Sequence, residues 1–246
     1  MALQTPMETV EAAALGVIML DTRFPRPPGD IGNPASFAVP VRQRVVSGAW
    51  PAAVVQTAEA QQANGMQPAF VAAARALQAD GVRAITTSCG FLVLMQQVLQ
   101  AAVKVPVVTS SLLALPGCLA REGQVGVLTI SADKLGPAHL RVAGVPEERL
   151  GDVLVQGMDP EGAFAGPILR NQPGLDVAAA EADVVRAALV LQAHAPHLRT
   201  LVLECTNMPP YAAAIERRTG WRTLSLLQSA TLLHVFSRTS SLARSP

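Results

Sequence analysis

Cysteine is scarce in this sequence, with three residues in 246. An odd number cannot pair completely in disulfides, and no two cysteines stand in a CxxC spacing that would hold a metal ion. These absences disfavour a disulfide-stapled secreted domain and predict no metal site. Reduced thiols in the cytoplasm are the simpler expectation.

An excess of charge of one sign is also missing. The chain has 19 basic and 18 acidic residues and a net charge of +1. This balance gives no electrostatic footprint for nucleic acid or for an acidic membrane surface. No apolar run reaches membrane-spanning length, and residues 1–11 include Glu8 and Glu11 but no basic residue, unlike a secretory signal. We therefore expect a cytoplasmic protein with no nucleic-acid and no membrane partner.

Histidine is rare as well, with four residues in the chain. His194 and His197 lie at the end of a predicted helix, and His139 and His234 lie within helical stretches. None of them is positioned to activate a cysteine. The sequence therefore disfavours a Cys–His hydrolase, in which an imidazole deprotonates the nucleophile.

The most informative feature that is present is an internal repeat. Segments 82–89 and 198–205 are both apolar, rich in β-forming residues and of strand length, and both end on a cysteine. The strand-like segment 16–20 recurs as 126–130. Because the order of the repeated segments is kept, we interpret the chain as two similar halves that each carry one cysteine at a matching place.

Strands and helices alternate along both halves, which predicts parallel sheets with right-handed crossovers. The expected fold is α/β, with two pseudo-symmetric lobes, each a parallel sheet flanked by helices, and an active site in the cleft between them. We assign residues 1–112 to the first lobe, completed by the C-terminal segment 220–246. Residues 113–219 form the second lobe.

Cys89 and Cys205 are the candidate catalytic residues because each follows a strand and precedes a predicted helix. A thiol beside a helix N-terminus meets unpaired N–H groups that favour the thiolate. Thiols on opposite sides of one substrate carbon suit a two-base proton transfer, in which one thiolate removes a proton and the other thiol returns one. A single cysteine at a strand end is commonly a buried apolar residue, and Cys118, which has no repeat partner, is interpreted in that way.

The motifs Thr-Ser-Cys-Gly-Phe at 87–91 and Leu-Glu-Cys-Thr-Asn-Met-Pro at 203–209 resemble the cofactor-independent aspartate/glutamate racemase superfamily, which includes hydantoin racemases. The resemblance implies a racemase or epimerase, hence an isomerase, that acts without a cofactor on an amino acid or a related small carboxylate. It implies Cys89 and Cys205 as the acid/base pair and makes a homo-oligomer plausible. Glutamate racemases usually have His two residues after the second cysteine and Gly before it, where this chain has Asn207 and Glu204, so a differently lined substrate pocket is expected.

The carbanion-like transition state of such a reaction needs stabilisation as well as a base. Backbone N–H groups after each cysteine and small polar side chains near the strand ends can supply it. The expected substrate-binding residues are Ser88, Gly90, Phe91, Thr206, Asn207, Asp21, Ser110 and Thr129. Alternation along the strand predicts that Glu204 points away from the site. The proline-rich loop 23–34 is either a rigid lid or rim over the site, or a solvated loop or dimer contact.

Three alternatives stay open at this point. A superfamily relative could catalyse decarboxylation or cis–trans isomerisation of a small diacid, or the chain could be a hydantoin racemase. From a different class, it could be a two-lobed small-molecule binding protein with incidental thiols. Incubation of candidate substrates in heavy water would separate these hypotheses, because a binding protein would neither exchange a substrate proton for deuterium nor release a product.

Overall fold

A computed structural model describes residues 14–234 of the chain. Its eight strands fall into two groups of four. The first group consists of β1 (Leu15–Leu20), β2 (Val41–Val46), β3 (Ala84–Thr87) and β4 (Val107–Val108). The second group consists of β5 (Val125–Thr129), β6 (Val153–Gly157), β7 (Thr200–Leu203) and β8 (Arg222–Leu224).

Each group forms one parallel sheet, and the two sheets have the same topology. The strand order is β2-β1-β3-β4 in the first and β6-β5-β7-β8 in the second, with all neighbours parallel. The central strands β1, β3, β5 and β7 are buried along their whole length, as expected for sheets covered on both faces. The predicted α/β fold of two pseudo-symmetric lobes is therefore confirmed.

Helices pack on both sheets and connect successive strands. The α-helices are α1 (Pro51–Val54), α2 (Ala58–Ala63), α3 (Gln67–Ala79), α4 (Gln96–Ala102), α5 (Leu115–Leu119), α6 (Pro137–Val142), α7 (Ala165–Leu169), α8 (Val177–His194) and α9 (Ala212–Thr219). Short 3₁₀ helices cover Pro34–Ser36, Gly90–Met95, Ser111–Ala114, Glu147–Asp152, Pro209–Tyr211 and Leu226–Gln228. None of the helices within residues 14–234 has the length and apolar character needed to cross a membrane.

The C-terminal part of the described chain is divided between the lobes. We expected segment 220–246 to complete the first lobe, but β8 lies beside β7 in the second sheet, because the crossover through α9 returns the chain to that sheet. Further on, Leu226 and Leu232 pack in a cluster with residues of β1 and β4, on the first lobe. Residues 1–13 and 235–246 of the expected first lobe lie outside the described residues.

The pseudo-symmetry extends to the residues that carry the cysteines. The backbone N–H of Ser88 donates to the carbonyl of Ile18 at 2.9 Å, and the N–H of Glu204 donates to the carbonyl of Leu128 at 2.9 Å. The first bond extends the pairing of β3 with β1 by one residue, and the second extends the pairing of β7 with β5 by one residue. Ser88 and Glu204 therefore occupy equivalent positions, and Cys89 and Cys205 follow them at the carboxyl ends of β3 and β7.

Candidate active site

The two cysteines line one cavity between the lobes. Cys89 and Cys205 are 7% and 6% exposed. The rest of the wall is formed by the residues that flank each cysteine, by one loop of the first lobe, and by apolar side chains, namely Ser88, Gly90, Phe91, Glu204, Thr206, Asn207, Phe24, Arg26, Leu20, Pro51, Val55, Ile130 and Ile168.

Cys89 lies directly before the 3₁₀ helix Gly90–Met95 rather than before an α-helix. Its sulfur accepts hydrogen bonds from the backbone N–H groups of Phe91 and Leu92, which favour the thiolate. Burial outweighs them: together with the negative charge of Glu204, it raises the pKa of the Cys89 thiol to about 12. The expected activation by a helix N-terminus is therefore wrong for this cysteine in the unliganded protein.

Cys205, after the end of β7, is held in the same manner. Its sulfur accepts a hydrogen bond from the backbone N–H of Asn207, and its thiol contacts the Asn207 side-chain oxygen with an Sγ–Oδ1 distance of 3.6 Å. Burial, and then the charge of Glu204, raise the pKa of the Cys205 thiol well above its usual value. Both cysteines are thus thiols at neutral pH, and a bound substrate must lower the pKa of whichever thiol acts as a base.

Direct hydrogen bonds between the lobes fix the two cysteine turns relative to each other. The Thr206 hydroxyl donates to the carbonyl of Ser88 at 2.7 Å, and the Ser111 hydroxyl donates to the carbonyl of Leu203 at 2.7 Å. The Ser88 hydroxyl in turn accepts from the backbone N–H of Leu20 at 2.9 Å. Thr206 and Ser88 therefore line the cavity as predicted, but their side chains position the cysteines and are already engaged.

The loop that precedes β2 forms one side of the cavity through a buried polar network. The Asp30 carboxylate, 1% exposed, accepts hydrogen bonds from Arg26 Nη1 at 2.8 Å, from the Gly32 N–H at 2.7 Å and from Asn207 Nδ2 at 2.6 Å. The Arg26 guanidinium also stacks on Phe24, with 4.8 Å to the ring centroid. Its Nε is buried and lacks a hydrogen-bond partner.

Three predicted substrate-binding residues lie outside the cavity wall. The Asp21 carboxylate accepts a hydrogen bond from the Gly48 N–H at 3.0 Å and serves the turn after β2. Ser110 caps the following 3₁₀ helix by accepting from the Leu112 N–H. Thr129 ends β5 behind the wall, where its hydroxyl donates to Glu204 Oε2 at 2.7 Å. Asp21 and Ser110 are thus held by local backbone N–H groups, and Thr129 is held by Glu204.

The sequence analysis misplaced Glu204 and left open the role of the loop that carries Arg26 and Asp30. Glu204 was expected to point away from the site, yet it lines the same cavity as the two cysteines. Strand β7 ends at Leu203, so the alternation of a strand does not apply to the residue after it. The internal repeat could have drawn attention to Glu204, because a carboxylate stands there where the first half has Ser88.

Replacing Asp30 by Asn should destabilise the folded protein by about 2–4 kcal/mol, because it leaves the Arg26 charge without its buried counter-charge. The asparagine also cannot accept all three of the hydrogen bonds that the carboxylate accepts. Urea unfolding followed by far-UV circular dichroism measures the change.

Asp80→Asn is the matched control for this substitution. Asp80 pairs with Arg44, whose Nε and Nη2 both donate to Asp80 Oδ2, but the Asp80 and Arg44 side chains are 27% and 49% exposed. Loss of such a surface pair should cost less than about 1 kcal/mol. A loss for Asp30→Asn that is no larger than this would contradict a structural role for the network.

Within residues 14–234, no cluster of three or more His, Cys, Asp or Glu side chains is arranged to hold a metal ion. The polar groups of the cavity are two thiols, one carboxylate, one guanidinium, the Ser88 and Thr206 hydroxyls, the Asn207 amide and the backbone N–H groups of the two cysteine turns. This set can transfer a proton at a carbon next to a carboxylate while the guanidinium and N–H groups hold that carboxylate.

The fold resembles solved structures of one superfamily along nearly the whole chain. A glutamate racemase isoform from Bacillus anthracis aligns with a TM-score of 0.57 and 16% identity, over 94% of this chain and 83% of the other. Arylmalonate decarboxylase aligns with a TM-score of 0.53 and 17% identity, over 91% of both chains. Allantoin racemase from Pseudomonas fluorescens gives 0.53 and 18%, over 93% and 92%. The chain has the fold of the aspartate/glutamate racemase superfamily, as its cysteine motifs predicted.

Curated sequences narrow this assignment. The chain is 32% identical over 232 residues to the dimethylsulfoniopropionate lyase of Durusdinium sp. clade D, and the match covers 90% of this chain and 74% of that protein. The chain belongs to the dimethylsulfoniopropionate lyase family. Lyases 7 and 3 of Emiliania huxleyi (strain CCMP1516) are 30% and 31% identical over 85% and 84% of this chain, which spans only 62% and 55% of their length. No family model matches the sequence.

These relatives correct the functional expectation from the sequence. A racemase or epimerase, and thus an isomerase, was expected, but the relatives at about 30% identity are named lyases. The findings agree better with the alternative of a superfamily relative that uses the same site for another reaction. The expectation failed because two thiols facing one cavity define how a proton is transferred and leave the fate of the carbanion open.

Proposed function

We propose that this protein is a lyase that cleaves dimethylsulfoniopropionate into dimethyl sulfide and acrylate by β-elimination. The observation that carries the proposal is the pair of thiols in one buried cavity, in a chain 32% identical to a lyase named for this substrate. The substrate is a small carboxylate with a positively charged sulfur on the carbon β to the carboxylate.

The reaction needs one base and no acid. A cysteine thiolate removes a proton from the carbon next to the carboxylate, and the electron pair of that C–H bond forms the new C=C bond. The C–S bond breaks with its electron pair moving to sulfur, which leaves as neutral dimethyl sulfide. The thiol then releases its proton to solvent, so the net products are acrylate, dimethyl sulfide and one proton.

The groups around the thiols match the charges of this reaction. Negative charge builds up on the substrate carboxylate as the proton leaves, and the unpartnered Arg26 Nε is a donor for that carboxylate. The backbone N–H groups that point to the cysteine sulfurs stabilise a thiolate. Leu20, Val55 and Ile168 line the cavity with apolar surface for the two methyl groups.

Incubation of the purified chain with dimethylsulfoniopropionate should release dimethyl sulfide, measured by headspace gas chromatography, and an equal amount of acrylate, measured by proton NMR. Substrate deuterated at the carbon next to the carboxylate should react more slowly under single-turnover conditions, because that C–H bond breaks in the elimination. The Cys89→Ser, Cys205→Ser double variant serves as the inactive control. Absence of dimethyl sulfide, or carbon dioxide release from malonates instead, would contradict the proposal.

A further inference from the structure

Glu204 is a buried carboxylate on the wall of the cavity that both thiols line. Its side chain is 0% exposed, and Oε2 accepts one hydrogen bond, from the Thr129 hydroxyl at 2.7 Å. Oε1 is buried and has no hydrogen-bond partner. A buried ionisable group with an unpaired oxygen is costly unless something else is bound there.

The fold keeps room for this carboxylate. A Cβ at Gly90 would lie 2.3 Å from Glu204 Oε1 and 2.2 Å from its carbonyl oxygen, so position 90 excludes any side chain. In the other half of the repeat, the position of Glu204 is occupied by Ser88, whose hydroxyl is hydrogen-bonded to Leu20. The two lobes therefore differ at the residue before the cysteine. Only the second lobe contributes a negative charge from this position.

This charge opposes the chemistry when the site is empty. The negative charge of Glu204 raises the pKa of both Cys89 and Cys205, which makes either thiol harder to deprotonate. A positively charged ligand group beside Glu204 would cancel this effect. The carboxylate thus hinders proton abstraction from anionic and neutral ligands and permits it from a cationic one.

A positive charge at the cavity comes from a different segment of the chain. Arg26, from the loop before β2, pairs with Asp30 rather than with Glu204 and keeps its Nε unpartnered. A cavity with a carboxylate on one side and a guanidinium on another is complementary to a zwitterion that carries a cation at one end and a carboxylate at the other.

We propose that Glu204 is the specificity-determining residue that binds the cationic sulfonium end of the substrate and selects it against neutral and dianionic carboxylates. This inference deepens the proposed function and rests on it for the identity of the cation. Glu204 is a recognition residue in this assignment, and the thiols carry out the proton transfer. The same contact neutralises the charge next to the thiols at the moment when one of them must ionise.

Two unreactive probes of similar shape test the inference. 3-(Dimethylammonio)propionate carries a cation in place of the sulfonium, and 4-methylpentanoate carries a neutral isopropyl group there. Titration calorimetry at pH 8 should show that the wild-type chain binds the cationic probe about 10-fold or more tightly than the neutral one. In Glu204→Gln the ratio should fall to about 2-fold or less, mainly through weaker binding of the cation.

Glu204→Asp keeps the charge and is the matched variant, and it should retain a clear preference for the cation. Melting temperatures of all three proteins confirm that each is folded. An unchanged ratio in Glu204→Gln would overturn the inference and leave the proposed function standing if the wild type releases dimethyl sulfide. A wild type that prefers the cationic probe but releases no dimethyl sulfide would refute the proposed function and uphold the recognition of a cation by Glu204.

Discussion

The Cys89→Ser and Cys205→Ser variants should differ from each other by at least about 100-fold in kcat/KM for dimethyl sulfide release. A general base contributes about 10²–10⁴-fold to rate, and a serine hydroxyl does not replace a thiolate in this role. The elimination takes one proton from the substrate and releases a neutral sulfide. Only one of the two variants therefore loses the base, and the other should fall by less than about 10-fold, through altered packing and charge in the cavity.

Steady-state kinetics of the two single variants measures this asymmetry, and Cys118→Ser is the control. Cys118 lies in α5 and is 0% exposed. It does not line the cavity that holds the other two cysteines. Its variant should keep activity close to that of the wild type at a temperature where it is folded. Equal, large losses in Cys89→Ser and Cys205→Ser would mean that the thiols act as a unit, which contradicts elimination with a single base.

The architecture could be predicted from the sequence because it is encoded in local patterns that occur twice. The apolar segments that became β3 and β7 have strand length and end at matched cysteines, and parallel sheets bring such ends to one edge. The sequence thus led directly to Cys89 and Cys205 on one cavity. Gly90 and Phe91, which follow the first cysteine along the chain, also line this cavity.

The remaining parts of the site depend on contacts between distant segments. Asp30 contacts Asn207, and nothing in the composition of the loop around Asp30 indicates that it reaches the second cysteine turn. Arg26 is held at the cavity wall by its pairing with Asp30 and by its stacking on Phe24. The direction of Glu204 is set one residue after β7 ends, where strand periodicity gives no information. The reaction type was missed because two thiols on one cavity leave the fate of the carbanion open, and the correction came from relatives named as lyases.

The unliganded protein should lose stability as the pH rises from about 4.5 to 7, through Glu204. Burial raises the pKa of Glu204 to about 7 from its ordinary value of 4.5. In this window the folded state holds a proton that the unfolded state has released, so the free energy of unfolding falls with increasing pH. A shift of this size corresponds to about 3 kcal/mol, or several degrees in melting temperature for a chain of this length.

Glu204→Gln removes the titrating group, so the variant should gain stability over the wild type across the same window. The difference in unfolding free energy should rise by about 3 kcal/mol between pH 4.5 and pH 8, measured by urea unfolding at several pH values. Subtracting the wild type at each pH cancels the contribution of His139, whose pKa burial lowers and which acts with the opposite sign.

Glu216→Gln provides a control with the reverse dependence. Hydrogen bonds from the backbone N–H and hydroxyl of Thr223 lower the pKa of Glu216, so its charge stabilises the folded state at neutral pH and ceases to do so as the pH falls through its folded pKa. Glu216→Gln should therefore be less stable than the wild type at pH 8, and the deficit should shrink in acid. If the Glu204→Gln difference were constant from pH 4.5 to 8, the Glu204 carboxylate would ionise without penalty in the empty cavity, and a bound cation would have no buried charge to neutralise.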